Sequence, residues 1–334
     1  MKNKKYLSLI LCFLMVILVS MHEINASAKD KDADAKDNKY IDGFYEYPIT
    51  IMSDDWFNYS VKEKVAMLII DQETLNRMTD RQLVYAIADY PYLVDIYLYN
   101  SFEEGLTNFK KNCSAYCELM ERLSGIESLK TYSEEIIESY KITPRLDGQT
   151  DFVANALNDI IEYYDEDNLR PSSGTRATVM TPNHTSVYVT TPSETHTTNY
   201  HTSLDNSVVS TYGVTKVRTG SCKYNCHSYA WYSISSNNPY WMPDPTAYTT
   251  DGSYTKKFTG TPSSSINTSG ISVNDRVYYA NKTHTAFFID NPSSGAPLGT
   301  LLVKSKWGQA GVFEHTVSNV PAGYDDSSLT IWHR

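Results

Sequence analysis

The stretch that decides the fold is residues 220–231, with the sequence GSCKYNCHSYAW. A loop that contains Gly220 leads to Asn225, and a run that can form a helix begins at Cys226. A cysteine at a helix N-terminus has its thiolate stabilised by the helix dipole and by unpaired backbone N–H groups. The same N–H groups can hold an oxyanion. The stretch therefore predicts Cys226 as a nucleophile that opens a helix.

A second stretch, residues 283–289 with the sequence THTAFFI, predicts a β-strand and supplies a base. Its His284 lies 58 residues downstream of Cys226. A strand can hold an imidazole against a sulfur atom carried by a helix, and the two groups then form a Cys–His pair. A third polar group has to fix the imidazole. The candidates by position are Asp290, Ser305 and His315.

Together the two stretches resemble the NlpC-type and CHAP-type cysteine amidases over residues 215–334. The resemblance implies a papain-like α+β domain, in which a helix with the cysteine packs on a small antiparallel sheet with the histidine. It also implies that Cys226 is the nucleophile and His284 the base. His315 is expected as the third residue in preference to Ser305, because a second imidazole is used in the NlpC-type branch.

The implied protein is a secreted cysteine hydrolase that cleaves an amide bond in peptidoglycan or a related peptide. Water would hydrolyse the acyl-enzyme, although an amine could accept the acyl group instead. No cofactor is expected. The alternative is a non-catalytic secreted or surface interaction protein with a structural or degenerate Cys–His pair, whose 27 tyrosines would suit an adhesive surface.

The other cysteines and histidines leave further interpretations open. Both C-x-x-x-C pairs could contribute to a four-cysteine zinc site, and residues 222–227 resemble a lengthened haem-attachment motif. The zinc site is not favoured, because Cys113 and Cys117 follow an apolar helical stripe as small hydrophobes. The haem motif is not favoured, because it is one residue longer than the usual motif. A disulfide involving Cys226 is a further alternative. The three histidines near the middle of the chain are expected in exposed loops, with no metal bound: His184, His196 and His201.

Composition changes sharply near residue 170 and predicts two domains. Residues 29–170 hold 29 acidic and 15 basic residues and only 15 Ser and Thr, whereas residues 171–334 hold 9 acidic, 11 basic and 49 Ser and Thr. We therefore expect an all-α acidic domain at 41–170, a Ser/Thr-rich connector with strands at 171–214, and the amidase-like domain at 215–334. The helical domain would pack on or present the second one, or bind a protein partner.

Local patterns predict individual elements within these parts. Helix starts are expected at four capping-box patterns, which begin at Ser60, Thr79, Ser101 and Thr131. The helix after Ser101 is expected to bury an apolar stripe as far as Leu123. A further helix is expected over 150–164, and strands over 177–180 and 186–190.

The N-terminus indicates the cellular location of the protein, and the net charge argues against polyanionic partners. Residues 1–28 have a basic start, a short apolar run and a small-residue end, which predict a signal peptide cut after Ala28. Residues 29–40 predict a charged disordered tether. Removing residues 1–28 leaves a net charge of −12, which argues against nucleic-acid binding and against electrostatic docking on anionic surfaces. No later segment predicts a membrane span, so an exported protein is expected.

Overall fold

The computed structural model describes residues 40–41, 44–142, 149–165, 174–267, 271–291 and 293–334. The predicted signal peptide and nearly all of the predicted tether lie outside the described residues. Residues from Asp42 onward form one compact unit. Before that unit, the structure describes only the two-residue strand β1 (Tyr40–Ile41). In the described part of the chain, no helix combines the length and the apolar character that a bilayer crossing requires.

Residues 44–165 are mainly helical, with one two-residue strand. The elements are β2 (Phe44–Tyr45), α1 (Val61–Met67), α2 (Gln72–Arg77), α3 (Asp80–Ala88), α4 (Phe102–Asn112), α5 (Ser114–Glu121), α6 (Gly125–Ile142) and α7 (Gln149–Asp165), with short 3-10 helices at Trp56–Asn58 and Leu93–Tyr97. The helix predicted over 150–164 is confirmed as α7. Ser60 and Thr79 both form complete capping boxes, as predicted, because each hydroxyl and its partner side chain satisfy N–H groups that the helix leaves unpaired.

Two predictions about this half are wrong in detail. Thr131 starts no helix, because it lies inside α6, which already begins at Gly125. Ser101 caps α4 as predicted, but the helix stops at Asn112, since the backbone of Cys113 is extended with φ −100° and ψ 96°. The break redirects the chain, so Cys113 is buried whereas Leu123 is fully exposed.

Residues 174–334 contain the sheets. The elements are β3 (Thr175–Met180), β4 (Ser186–Thr191), α8 (Thr198–Tyr212), β5 (Thr215–Arg218), α9 (Thr246–Thr250), β6 (Thr255–Gly260), β7 (Arg276–Tyr279), β8 (Thr285–Phe288), β9 (Leu302–Lys306), β10 (Val312–Thr316) and β11 (Leu329–His333), with 3-10 helices at Ala280–Lys282 and Leu298–Thr300. Strands are confirmed at the two predicted places, as β3 and β4, and the structure shows that they pair as an antiparallel hairpin. The other seven form one antiparallel sheet in the order β5-β10-β9-β8-β7-β11-β6. The fold is therefore a mixture of helices and antiparallel sheets, as predicted.

The change of composition near residue 170 does not divide the core. The main hydrophobic cluster includes side chains of the helical half, such as Trp56, together with sheet residues such as Phe313. Polar contacts also join the halves, because the Trp56 Nε1–H donates to the Thr211 carbonyl oxygen over 2.8 Å. The Tyr212 hydroxyl donates to the buried carboxylate of Asp95 over 2.5 Å. The helical half thus packs directly behind the sheet.

Candidate functional site

The helix of Cys226 begins where the sequence predicts, and Asn225 fixes its start. The Asn225 side-chain oxygen accepts the N–H groups of Ser228 and Met242, each over 3.1 Å. Its amide group donates to the Met242 carbonyl oxygen over 2.7 Å and to Asn100 over 2.8 Å. Asn225 is therefore a buried N-cap with four hydrogen bonds. Cys226 occupies the first helical turn, which continues as a π-helix over Ser228–Tyr232.

The sulfur atom of Cys226 is buried, and 3% of the residue is exposed. Burial raises the pKa of this thiol to about 12, even though the backbone N–H groups of Thr285 and His227 and the charge of Lys306 favour the thiolate. The helix start therefore supplies the predicted hydrogen-bond donors, but the loss of solvation raises the pKa of the thiol more than these donors lower it. In this closed state the thiol is protonated at neutral pH.

His284 immediately precedes β8 and is completely buried. Its imidazole stacks on the ring of Tyr324, with 4.0 Å between the centroids and 13° between the planes, and it meets the ring of Tyr279 edge-on at 5.1 Å. Neither ring nitrogen has a hydrogen-bond partner among the described residues. Burial, followed by the neighbouring His315 and His227, holds the pKa of His284 well below its ordinary value. The imidazole is therefore neutral, and its acceptor nitrogen is unpaired.

Thr285 joins the cysteine helix to the histidine strand. Its N–H points at the Cys226 sulfur, and its hydroxyl donates to His227 Nδ1 over 2.8 Å. His227 Nε2–H donates to the Lys282 carbonyl oxygen over 2.9 Å, and Trp231 Nε1–H donates to the Thr285 hydroxyl over 3.1 Å. The structure thus places Cys226 against the residue next to His284. No hydrogen bond joins the thiol to the His284 ring, since both ring nitrogens are unpaired.

His315 lies close to His284 but does not orient it by a hydrogen bond. The two ring centroids are 6.5 Å apart. His315 Nδ1–H donates to the Thr316 carbonyl oxygen over 2.8 Å, and its Nε2 accepts the Ser305 hydroxyl over 2.7 Å. The predicted direct contact is therefore absent, because both nitrogens of His315 are already engaged. Burial lowers the pKa of His315 to about 4.

The other two candidates for the third residue have different positions. Ser305 is buried. Its hydroxyl donates to His315 Nε2 and also accepts the Trp307 Nε1–H over 2.8 Å. Asp290 is exposed, whereas His284 is completely buried. The group that contacts the His284 ring most closely is Tyr324, which the sequence pattern did not single out.

A second residue that sequence analysis missed is Lys306, at the end of β9. It is completely buried, and its ammonium donates to the carbonyl oxygens of Ser221, over 3.0 Å, and Gly308, over 2.6 Å. Burial lowers the pKa of Lys306 to about 8, although the nearby Cys222, Asp205, Cys226 and Glu194 favour its charge. A positive charge therefore lies near Cys226 at neutral pH. A lysine at the end of a strand carries no sequence signal for such burial.

The prediction of exposed loop histidines is wrong for His201. It lies in α8 and is buried, and its Nε2–H donates to Glu194 over 2.8 Å. Cys222 lies beside these two, and the three side chains offer ligand atoms that all lie within 4.8 Å of one another. None of the four cysteines in the described part of the chain forms a disulfide. The proposed nucleophile Cys226 gives no role to Cys222, four residues before it. The structure places Cys222 in contact with Glu194 and Gln309.

Comparisons with known proteins found no similar protein. No protein-family model matches the chain, and neither the curated proteins nor the solved structures contain a match.

Proposed function

We propose that the protein is a secreted cysteine amidase or peptidase in which Cys226 is the nucleophile and His284 the general base. One observation carries the proposal: a fully buried imidazole, with both nitrogens unpaired among the described residues, directly precedes Thr285, whose N–H faces the thiol of Cys226 at the start of a helix. A buried polar group without a hydrogen bond destabilises the fold by about 1–3 kcal/mol. An unpaired imidazole next to the cysteine helix therefore indicates a functional role. Accepting the thiol proton is such a use.

The pair starts as a neutral thiol and a neutral imidazole, because burial disfavours both charged forms. The Cys226 sulfur attacks the amide carbonyl carbon while His284 takes the thiol proton. His284 then protonates the leaving amine as the C–N bond breaks, which leaves a thioester on Cys226. Water attacks this thioester with its proton passing to His284, and the proton returns to the thiolate as the acid leaves.

The surrounding residues support the charges that develop in this reaction. The N–H groups of His227 and Thr285 face the Cys226 sulfur and stabilise negative charge there. The ammonium of Lys306 acts in the same direction. The Ser305–His315 pair positions the neighbouring strands rather than relaying a proton to His284, because His315 has no nitrogen left to offer.

The arrangement also supports the resemblance to the NlpC-type and CHAP-type amidases. A helix with the cysteine meets an antiparallel strand that begins directly after the histidine, as a papain-like domain requires. The proposed substrate is accordingly an amide bond in peptidoglycan or a related peptide. The net charge of −12 without the first 28 residues makes nucleic acid an unsuitable partner.

The proposal is tested by incubating purified protein with peptidoglycan and separating the soluble products by mass spectrometry. The wild-type protein and Cys117→Ser, which changes a half-buried cysteine on another helix, should release fragments with new amino and carboxyl groups. Cys226→Ser should release none. Release of the same fragments by Cys226→Ser would overturn the assignment of the nucleophile.

A second candidate function is a non-catalytic interaction protein, and the burial of the pair favours it. Cys226 is 3% exposed and His284 is not exposed at all, so substrate cannot reach them without local opening. An interaction protein predicts that no acyl group is ever transferred to Cys226. An amidase predicts that small acyl donors modify Cys226 and that His284 is required for this modification.

A further inference from the structure

A cluster of three different side chains lies outside the proposed catalytic pair. Glu194 precedes α8, His201 lies in its first turns, and Cys222 lies in the loop that leads to Cys226. The potential ligand atoms of the three lie within 4.8 Å of one another. They combine a carboxylate oxygen, an imidazole nitrogen and a sulfur, which are the three donor types that proteins use for zinc.

The carboxylate of Glu194 is already ionised and fixed in place. Burial alone would raise its pKa, but hydrogen bonds from His201, from the Ser221 hydroxyl and from the Cys222 N–H lower the pKa to about 2. The Ser221 hydroxyl donates over 2.9 Å and the Cys222 N–H over 3.0 Å, both to Oε2. The other oxygen, Oε1, accepts the His201 Nε2–H over 2.8 Å. Such supporting hydrogen bonds are typical of residues that hold a metal ligand in position.

His201 supplies an independent observation. Its Nε2–H donates to Glu194, and its Nδ1 has no hydrogen-bond partner in the described part of the chain, although the residue is only 3% exposed. The backbone of Gly220 packs against this nitrogen so closely that a β-carbon there would lie 2.8 Å from it. Nε2 therefore faces the Glu194 carboxylate, whereas the unpaired Nδ1 faces the backbone of Gly220.

We propose that Glu194, His201 and Cys222 bind a zinc ion. Tetrahedral zinc has nitrogen and oxygen ligands at about 2.0 Å and sulfur at about 2.3 Å, so neighbouring ligand atoms lie roughly 3.3–3.6 Å apart. The His201 and Glu194 atoms, now 2.8 Å apart, would separate by only about half an ångström to reach this spacing. The side-chain oxygen of Gln309, 3.7 Å from the Cys222 sulfur, is available as a fourth donor.

Two of the three ligands can carry negative charge, and the ammonium of Lys306 lies near both of them. Burial and the nearby Glu194 raise the pKa of Cys222 to about 12, so its thiol is protonated without a metal. On binding, the sulfur–zinc bond replaces the S–H bond and the thiol proton leaves to solvent, while the imidazole proton of His201 moves from Nε2 to Nδ1 through solvent, so that the Nε2 lone pair can hold the zinc. The Glu194 carboxylate and the Cys222 thiolate then neutralise the two positive charges. Glu194 has 27% of its side chain exposed, which provides an entry route for the ion.

A second nucleophilic triad explains the cluster less well. A triad requires the imidazole to lie between the thiol and the carboxylate, so that the carboxylate acts through the histidine. Here the Glu194 carboxylate contacts both His201 and Cys222 directly, and its proximity favours the protonated form of the thiol. Convergence of all three groups is the arrangement that a metal ion requires. The ion would tie α8 to the loop that positions Cys226.

The test uses the purified full chain stripped of metal with a chelator. Titration with Co²⁺ should produce a thiolate-to-cobalt charge-transfer band, and one equivalent of Zn²⁺ should displace it. Cys222→Ser should abolish the band, and Glu194→Gln should weaken zinc binding at least roughly 100-fold. Cys117→Ser is the matched control and should behave like the wild-type protein. Absence of the band in the wild-type protein, or its persistence in Cys222→Ser, would overturn the proposal.

A second measurement needs no variant and so remains decisive even if Cys222→Ser fails to fold. Zinc should protect Cys222 of the wild-type protein from alkylation, whereas Cys117 should react at the same rate with and without zinc. Equal labelling of Cys222 in both conditions would overturn the proposal. Peptide mapping separates the two sites, and activity of the Cys226 pair plays no part in either readout.

Discussion

The ring of Tyr324 lies flat against the imidazole of His284, with 4.0 Å between their centroids. The Tyr324 hydroxyl donates to the Leu98 carbonyl oxygen, and the N–H of the preceding Gly323 donates to the Tyr99 hydroxyl over 3.0 Å. The helical half of the chain therefore anchors the residue that covers the proposed base. Access to His284 depends on this anchored aromatic ring.

Removing the covering ring should make Cys226 more accessible. A stacked aromatic pair contributes about 0.5–1.5 kcal/mol beyond its buried area, so Tyr324→Ala should speed alkylation of Cys226 by iodoacetamide about tenfold. Tyr324→Phe keeps the stacking and loses only the hydrogen bond to Leu98, so it should stay closer to the wild-type rate. The rates are measured by peptide mapping at pH 7. Unchanged labelling in Tyr324→Ala would show that another segment controls access.

The buried imidazole of His227 should make the fold sensitive to acid. Burial lowers its pKa from 6.5 to about 4, so between these values the unfolded state binds a proton that the folded state does not. The stabilisation is present above pH 6.5 and is lost as the pH falls toward 4. Between pH 7 and 4.5, the free energy of unfolding should fall by about 2–3 kcal/mol more in the wild-type protein than in His227→Gln. Urea unfolding measures both curves, and parallel curves would contradict the prediction.

Gly308 marks a close approach between the two halves. Its φ is +45°, and a β-carbon there would lie 2.2 Å from the Tyr97 carbonyl oxygen. Gly295 also has a positive φ, of +82°, but no atom of the described residues lies within 4 Å of its β-carbon position. Gly295→Ala should therefore lower the free energy of unfolding by about 1–2 kcal/mol, through backbone strain alone. Gly308→Ala should lower it by a further 1–3 kcal/mol, because the chain has to move apart there.

Denaturant unfolding of the two glycine variants is the measurement. Equal destabilisation would mean that the halves do not pack as tightly at Gly308 as the structure shows. The comparison is informative because both substitutions place alanine in a left-handed backbone conformation and differ mainly in their surroundings.

Asn225 should be important for stability as well as for the position of Cys226. Asn225→Ala removes an N-cap, which alone costs about 0.5–2 kcal/mol, and it leaves buried groups of Met242 and Asn100 without a partner. The expected loss is about 3 kcal/mol in the free energy of unfolding. The exposed Asn237 offers a control, since Asn237→Ala should change stability by less than about 0.5 kcal/mol. A similar small change in Asn225→Ala would show that the cap is dispensable.

Features set by neighbouring residues were predictable from the sequence. The capping boxes at Ser60 and Thr79 use groups three residues apart, and the helix start at Cys226 uses the adjacent Asn225. The strands over 177–180 and 186–190 were likewise predictable, because the Thr-rich composition of this stretch favours strands. In each case the deciding hydrogen bonds or side-chain pattern lie within a few residues.

Features set by packing were not predictable. His284 and Tyr324 are 40 residues apart in sequence and meet only after the sheet has formed. The apolar period of the helix after Ser101 continues through Cys113, yet the backbone is extended there, where α4 ends and α5 begins. The cluster of His201 and Cys222 depends on how α8 lies against the following loop. No sequence pattern over a few residues predicts these contacts.

The central claim is that His284 activates Cys226, and the acylation rate of Cys226 tests it most directly. The protein is treated at pH 7 with p-nitrophenyl acetate, and acetyl groups are located by mass spectrometry in the wild-type protein and in His284→Ala. The buried Cys113 reports on folding, because it should stay unmodified in both proteins. The account predicts that acetylation of Cys226 is about 10²- to 10⁴-fold slower in His284→Ala. Equal rates of acetylation at Cys226 in the two folded proteins would contradict it.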